Sequence, residues 1–196
     1  MFAITTDGTL WAWGQNIIFR QWQVRPVLGD GTTVDRDTPV EIMENVVSIA
    51  TDGSTAYAIT TDGTLWGWGN DGAAYHTPIL IGDGSILCEE TFFENSHMWE
   101  FDDDAFGVRW LLDDDGGTGL RLSPVEILEN VVDVAPTFFM LDHGEIRGFR
   151  TFALTECGSV WAWGVNDIGG QGDHGLLGDR TSELRPYPVR IIEGDL

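Results

Sequence analysis

The sequence predicts an all-β chain. Three observations carry that prediction: short runs of β-branched and aromatic residues, turn-forming Asp-Gly pairs between them, and the return of both in the same order along 196 residues. FAITTDGTLWAWG at 2–14 returns as YAITTDGTLWGWG at 57–69 with 11 of 13 residues identical, and as FALTECGSVWAWG at 152–164 with 8 of 13 matching the first copy. A second element, TPVEIMENVVSIA at 38–50, recurs as SPVEILENVVDVA at 123–135 with 9 of 13 identical, and its first half reappears as YPVRII at 187–192. Between the two elements lie LGDGTTVDRDTP, DDGGTGLRLSP and LGDRTSELRPYP, which align Asp30, Asp115 and Asp179 and, six residues on, Arg36, Arg121 and Arg185. Four short antiparallel strands per unit of about 50 residues, packed face to face on the next unit, describe a β-propeller blade.

The strands follow in order. AIT and LWAWG form a hairpin across Asp7-Gly8, and the same pair across Asp62-Gly63, with both turn residues expected to take positive φ. PVEI and VVSIA supply two more strands. Apolar and polar residues do not alternate cleanly in these runs, so the sheets are expected to be covered on both faces. Cys157 replaces the turn Asp of the third hairpin, which is expected to be the weakest of the three. One blade is expected at about 39–69 and another at about 124–164, with two strands before them and one after. That is about three blades, where closed propellers have about 4 to 8. The whole chain, 1–196, is expected to be one partial propeller domain with an acidic, aromatic and irregular insertion at 85–115.

TTDGTLWAWG, then LGDGT, PVEI and VVSIA, resemble the propeller repeat of the regulator of chromosome condensation family, and WGVNDIGGQG at 163–172 resembles that family's WGxNxxGQLG segment. The resemblance covers about two thirds of the chain. It implies a propeller that acts by binding other proteins: members serve in nucleotide exchange on a small nuclear GTPase, in β-lactamase inhibition, or as modules of larger signalling proteins. A guanine nucleotide exchange factor-like role is one such implication, but no contact residue carries over with it. Relative to the family pattern, the linker 17–27 is long, an insertion separates Gly69 from Ser123, and a smaller one falls at 138–150.

Charge narrows the partners. The chain has 32 Asp+Glu against 10 Lys+Arg, a net charge of −22, and all ten basic residues are Arg. Nucleic acids and anionic lipids are held by rows of cations, so neither is an expected partner. The absence of Lys removes Schiff-base and phosphate-loop lysine chemistry. At 42% hydrophobic the chain is too apolar for a disordered acidic tail. With no charged leader and no apolar run reaching about 18 residues, it is taken as cytoplasmic by default.

Ten of the acids sit between Glu89 and Asp115, opposed by Arg109 alone, and aromatic residues are interleaved with them. Removing that segment leaves 22 acids against nine Arg, a net −13. Charges that set encounter rate and rings that supply buried area suit a loop grasping a basic protein surface. The expected partner-binding residues are Trp99, Asp102, Asp103, Asp104, Trp110, Asp113, Asp114 and Asp115. A solvated excursion packed on the propeller edge is the plainer reading of the same residues.

Other sites are thinner. DDDAFGVRWLLD from Asp102 places Asp at positions 1, 3 and 12 and Gly at 6 of an EF-hand loop, but Phe106 at position 5 offers no oxygen. No metal or cofactor is therefore expected. Six of the nine Trp lie in WxWG or WGWG, and their repetition points to packing between blades rather than sugar stacking. The aligned Arg residues are expected to pair with neighbouring acids such as Asp35 or Asp37. Cys88 and Cys157 read as two small buried hydrophobes. His76, His97, His143 and His174 are scattered, outside any GxSxG, HExxH or Cys/His pattern, so no catalytic residue is assigned. The expected function is a non-enzymatic interaction module for a partner with a basic face, with self-association to complete the ring. Two alternatives stand beside it: a hydrolase or calcium-dependent activity in the insertion, and a truncated fragment with no independent role.

Overall fold

The computed structural model describes residues 1–16, 28–53, 55–70, 120–140, 146–166, 175–183 and 185–194. Eleven strands build three antiparallel sheets among the described residues. The first holds β1 (Phe2–Ile4), β2 (Leu10–Gly14) and β3 (Arg36–Met43) in that order. The second holds β4 (Val46–Thr51), β5 (Thr55–Thr60), β6 (Leu65–Asn70) and β7 (Leu120–Leu128), and the third β8 (Val131–Met140), β9 (Ile146–Thr155), β10 (Val160–Gly164) and β11 (Arg185–Ile192). Each sheet is a meander of chain neighbours, the arrangement of a propeller blade. Among the described residues no helix is long and apolar enough to cross a membrane.

The Asp-Gly hairpins form with a different turn from the one expected. Thr5 N donates to Thr9 O at 3.0 Å and Gly8 N to Thr5 O at 2.9 Å, which encloses three loop residues. Only Gly8, at φ +85°, takes the left-handed conformation, and Asp7 does not. This is a type I turn closed by a left-handed glycine, so glycine is needed at one position only. Asp7 instead uses its carboxylate, accepting from Thr5 Oγ1 at 2.6 Å and Thr9 N at 3.3 Å.

Blade boundaries also shift from the expected 39–69 and 124–164. The PVEI strand pairs with the tryptophan strand before it, Trp11 opposite Glu41 and Trp66 opposite Glu126. The chain passes to the next sheet at Glu44-Asn45 and Glu129-Asn130. Asn45 and Asn130 adopt φ of 61° and 58°, a conformation that Asn tolerates better than most residues. Backbone bonds then tie each crossover to adjacent hairpin turns: Val46 N to Gly8 O, Thr61 N to Asn45 O, Val131 N to Gly63 O and Glu156 N to Asn130 O, all 2.7–2.9 Å. The supposed insertion at 138–150 is largely a longer hairpin, because β8 and β9 stay paired through Phe138–Phe149, Phe139–Gly148 and Met140–Ile146.

Sheets stack in chain order around two apolar layers. Leu10 of the first sheet meets Val46, Ala56, Ala58 and Trp68 of the second, with Phe2 and Trp66 against them. Tyr57, Ile59 and Leu65 leave the opposite face of the second sheet and pack on Val131, Val134, Ala153 and Trp163 of the third. The second sheet is therefore covered on both faces, and every residue of β5 is buried. This is why its strands do not alternate polar with apolar. Four of the six repeated tryptophans, Trp66, Trp68, Trp161 and Trp163, pack in these layers: Trp68 and Trp163 are fully buried, with Phe2 edge-on to Trp68 and Tyr57 edge-on to Trp163 at 6.0 Å.

Candidate interaction surface

The meander sends its connections to two opposite rims. One rim carries the Asp-Gly hairpins and the Asn crossovers, all tight and bonded to one another. The other carries the long connections: β2 to β3, β6 to β7 and β10 to β11 all leave from it. Rim loops of a propeller are where recognition groups are carried on a rigid frame.

Two of the long connections share one construction. Asn16, fully buried, donates from Nδ2 to Asp30 Oδ1 at 3.2 Å and Thr32 O at 2.8 Å, while its Oδ1 accepts from Leu28 N at 3.0 Å. Asp30 also receives Thr32 N at 3.1 Å and Arg36 Nε at 2.5 Å. Asn166 repeats the pattern with Asp179 Oδ1 at 2.9 Å, Thr181 O at 2.9 Å and Leu177 N at 2.8 Å, and Asp179 receives Thr181 N at 3.0 Å and Arg185 Nε at 2.5 Å. The expected Arg pairing is thus corrected: Arg36 bonds Asp30 rather than Asp35 or Asp37, and Asp35 accepts from the backbone of Asn16 at 2.7 Å. Residues six apart meet because the loop doubles back across Thr32 or Thr181. The two asparagines at the centre were not singled out from sequence, although each stands two residues after a repeated Trp-Gly.

Electrostatics agree with a clamp rather than a docking group. Burial pushes the Asp179 carboxyl up, but hydrogen bonds from Arg185, Asn166 and Thr181 outweigh it and hold the pKa at about 2. The same opposition, with Arg36 and Thr32 as donors, lowers Asp30. These carboxylates spend their acceptor capacity inside the loop. They shape the rim and do not present themselves to a ligand.

Cys157 corrects a second expectation, since it is exposed rather than buried. It occupies the turn position of Asp7 and Asp62, with Thr155 Oγ1 at 3.2 Å and Ser159 Oγ at 3.4 Å. Hydrogen bonds to Ser159 and then Thr155 bring its pKa down to about 7. The corresponding carboxylate bonds in the other hairpins are 2.6 Å. Restoring the carboxylate should therefore strengthen this turn, and Cys157→Asp is expected to raise stability. Urea unfolding at pH 7 measures it, and a loss of stability would contradict the comparison of the three turns.

The expected partner-binding residues Trp99, Asp102, Asp103, Asp104, Trp110, Asp113, Asp114 and Asp115 lie outside the described residues, as do the EF-hand-like stretch, Cys88 and all four histidines. Among the described residues, no group of three or more His, Cys, Asp or Glu is placed to hold a metal ion.

No family model matches the chain. It is similar to the E3 ubiquitin-protein ligase HERC2 of Homo sapiens, with 28% identity over 226 aligned residues that cover 98% of this chain and 4% of that protein, and equally to the Mus musculus protein. Among solved structures it is similar to Prp20p from Saccharomyces cerevisiae, with a TM-score of 0.51, 16% identity, and coverage of 98% of this chain and 36% of that one. A structure of Kap60 bound to yeast RCC1 (Prp20) contains the same fold, with a TM-score of 0.51, 18% identity, and coverage of 98% and 35%. The chain spans 4% of the curated relatives it matches and about a third of the solved chains. Repeats, sheet topology and these likenesses agree on an all-β fold of stacked antiparallel sheets similar to the propeller repeats of the regulator of chromosome condensation family.

Proposed function

We propose that the chain is a non-enzymatic protein-interaction module that binds a partner with a basic face, through the loops of the long-connection rim and the acidic insertion at 85–115. The observation that carries this reading is the charge: ten acids against one Arg between Glu89 and Asp115, in a chain of net charge −22. The fold supports the coarser part. Prp20p, which shares it, has binding properties to Gsp1p and histones, and yeast RCC1 (Prp20) is bound by Kap60. Two further features favour the finer part. β6 ends and β7 begins at the rim of long connections, and the Asn-Asp-Arg clamps give that rim a fixed frame.

A field of this sign accelerates encounter with a cationic surface and is screened by salt, with a Debye length of about 10 Å at 0.1 M. Converting Asp102 to Asp104 and Asp113 to Asp115 to Asn removes six charges. The variant should associate with an immobilised cationic globular protein at least about tenfold more slowly at 10 mM salt, and the difference should shrink at 0.5 M. Rates that ignore both changes would remove the electrostatic part of the proposal.

Self-association is the second part of the reading. The first sheet turns Trp11 and Trp13 away from the second, and among the described residues neither joins an apolar cluster. On the third sheet, Leu154 keeps 38% exposure. Both ends of the stack thus present the type of face that is covered inside it.

A further inference from the structure

The layer between the first two sheets contains a knob and a socket. Trp68 lies fully buried in the face that the second sheet turns toward the first. Above it passes the Leu28-Gly29-Asp30 loop of the first sheet, held by Asn16. Gly29 has φ +85°, and a Cβ built there would stand 2.6 Å from Trp68 Nε1. Only glycine lets the indole slide under the loop, and the clamp fixes the loop at that height.

Both halves of this contact recur on the outer faces of the first and third sheets, and neither meets its counterpart among the described residues. Leu177-Gly178-Asp179 repeats the socket on the third sheet, with the same Asn166 clamp and φ +82° at Gly178. Among the described residues nothing lies within 4 Å of the position a Cβ would take at Gly178. At the other end Trp13 occupies the repeat position of Trp68. It is only half-buried, on the face of the first sheet opposite Leu10. The remaining open-face residues match as well. Phe152 and Leu154 hold the repeat positions of Tyr57 and Ile59, which the third sheet buries on the second.

We propose that a second copy of this chain docks head to tail on the first, with Trp13 of one copy seated under the Leu177-Gly178 loop of the other. The occupant is a second copy because each end matches the other rather than itself. The contact would continue the two sheet-to-sheet layers already inside the chain. It is a heterologous contact, which closes a ring when the rotations sum to a full turn. Two copies of the three sheets found among the described residues give six blades, inside the range of about 4 to 8 for closed propellers. The inference rests on the self-association part of the proposed function and names its surfaces.

The test is sedimentation equilibrium of the full chain from 1 to 100 µM, with Trp13→Ala, Gly178→Asn and their equimolar mixture. Asn adopts the left-handed φ of position 178 while filling the socket, and thermal melts check that each variant is folded. Each variant alone is expected to weaken association at least tenfold. The mixture should recover part of it, because one intact knob then meets one intact socket. A wild-type chain that stays monomeric overturns self-association and this docking together. A wild-type chain that associates while both variants do so unchanged, or whose variants never rescue each other, overturns the docking and leaves self-association standing. Should Trp13→Ala fail to fold, Gly178→Asn decides alone: unchanged association overturns the docking, and a tenfold loss upholds it.

Discussion

Trp163→Ala is expected to destabilise the chain by about 3–5 kcal/mol, the usual cost of emptying a fully buried large aromatic site. The indole sits at 0% exposure in the layer between the second and third sheets, edge-on to Tyr57 and beside Val131, Val134 and Ala153. Rigid strands surround it, so the void cannot collapse, and a loss of this size is a large part of the 5–15 kcal/mol typical of a domain. The damage should also be directional. In a stack where each unit touches only its neighbours, one weakened layer uncouples what lies beyond it. Amide exchange should rise more in β8–β11 than in β1–β3. Trp163→Phe provides the control. Trp163 Nε1 is buried with no well-formed hydrogen bond among the described residues, so Phe keeps most of the packing and gives up little hydrogen bonding. Its cost should stay under about 1.5 kcal/mol. Equal losses for Ala and Phe, or uniform exchange across the three sheets, would show that the tryptophan does not act as a layer filler.

Asp179→Asn is expected to cost about 2–3 kcal/mol at pH 7, below the roughly 3–5 kcal/mol of a fully buried charge pair, since Arg185 keeps some contact with water. The Asp179 side chain is 7% exposed and that of Arg185 24%. Asn cannot accept from Arg185, Asn166 and Thr181 together as the carboxylate does. Acid should reproduce the same loss in the wild type. The folded pKa of about 2 lies below the ordinary aspartate value of 3.8, so the folded state binds this proton more weakly than the unfolded chain. Stability from this group is complete above about pH 4 and is lost as pH falls toward 2. Asp30, lowered for the same reasons, adds to the fall. Melting temperature followed from pH 5 to pH 2 should therefore drop less steeply in Asp179→Asn than in the wild type. Parallel curves would mean that the Asp179 carboxyl binds its proton equally well in the folded and unfolded states, against the clamp.

The parts of the fold legible in the sequence were those that repeat. WxWG, PVEI and VVxxA each became a strand, and the tryptophans of the second and third sheets packed in the layers between sheets, because equivalent positions in stacked units meet equivalent neighbours. The phase of the blade was not legible. PVEI and VVSIA are adjacent in sequence, yet Asn45 and Asn130 carry the chain over to the next sheet between them, and a left-handed Asn looks like any polar turn residue. The Asp30–Arg36 pair stood in the alignment as a constant spacing of six. Which acid the arginine would choose depended on how the loop doubles back, and on an asparagine whose partners are remote in sequence. The proposed binding residues rest on charge and aromatic content alone, since the described residues do not include them.

The two rims differ in how much change they can absorb. Forty-nine residues separate Asn70 from Leu120, and twenty-one separate Gly14 from Arg36. Closing the longer connection costs only about 0.7 kcal/mol more than closing the shorter, because loop entropy grows with the logarithm of length. The clamps and ladders on either side then form regardless of what is inserted. On the opposite rim, crossover and hairpin turns share backbone bonds of 2.7–2.9 Å, so one added residue would break the seam between two sheets. Lineages built on these repeats are therefore free to diversify along one edge, while the other edge stays closed to insertion.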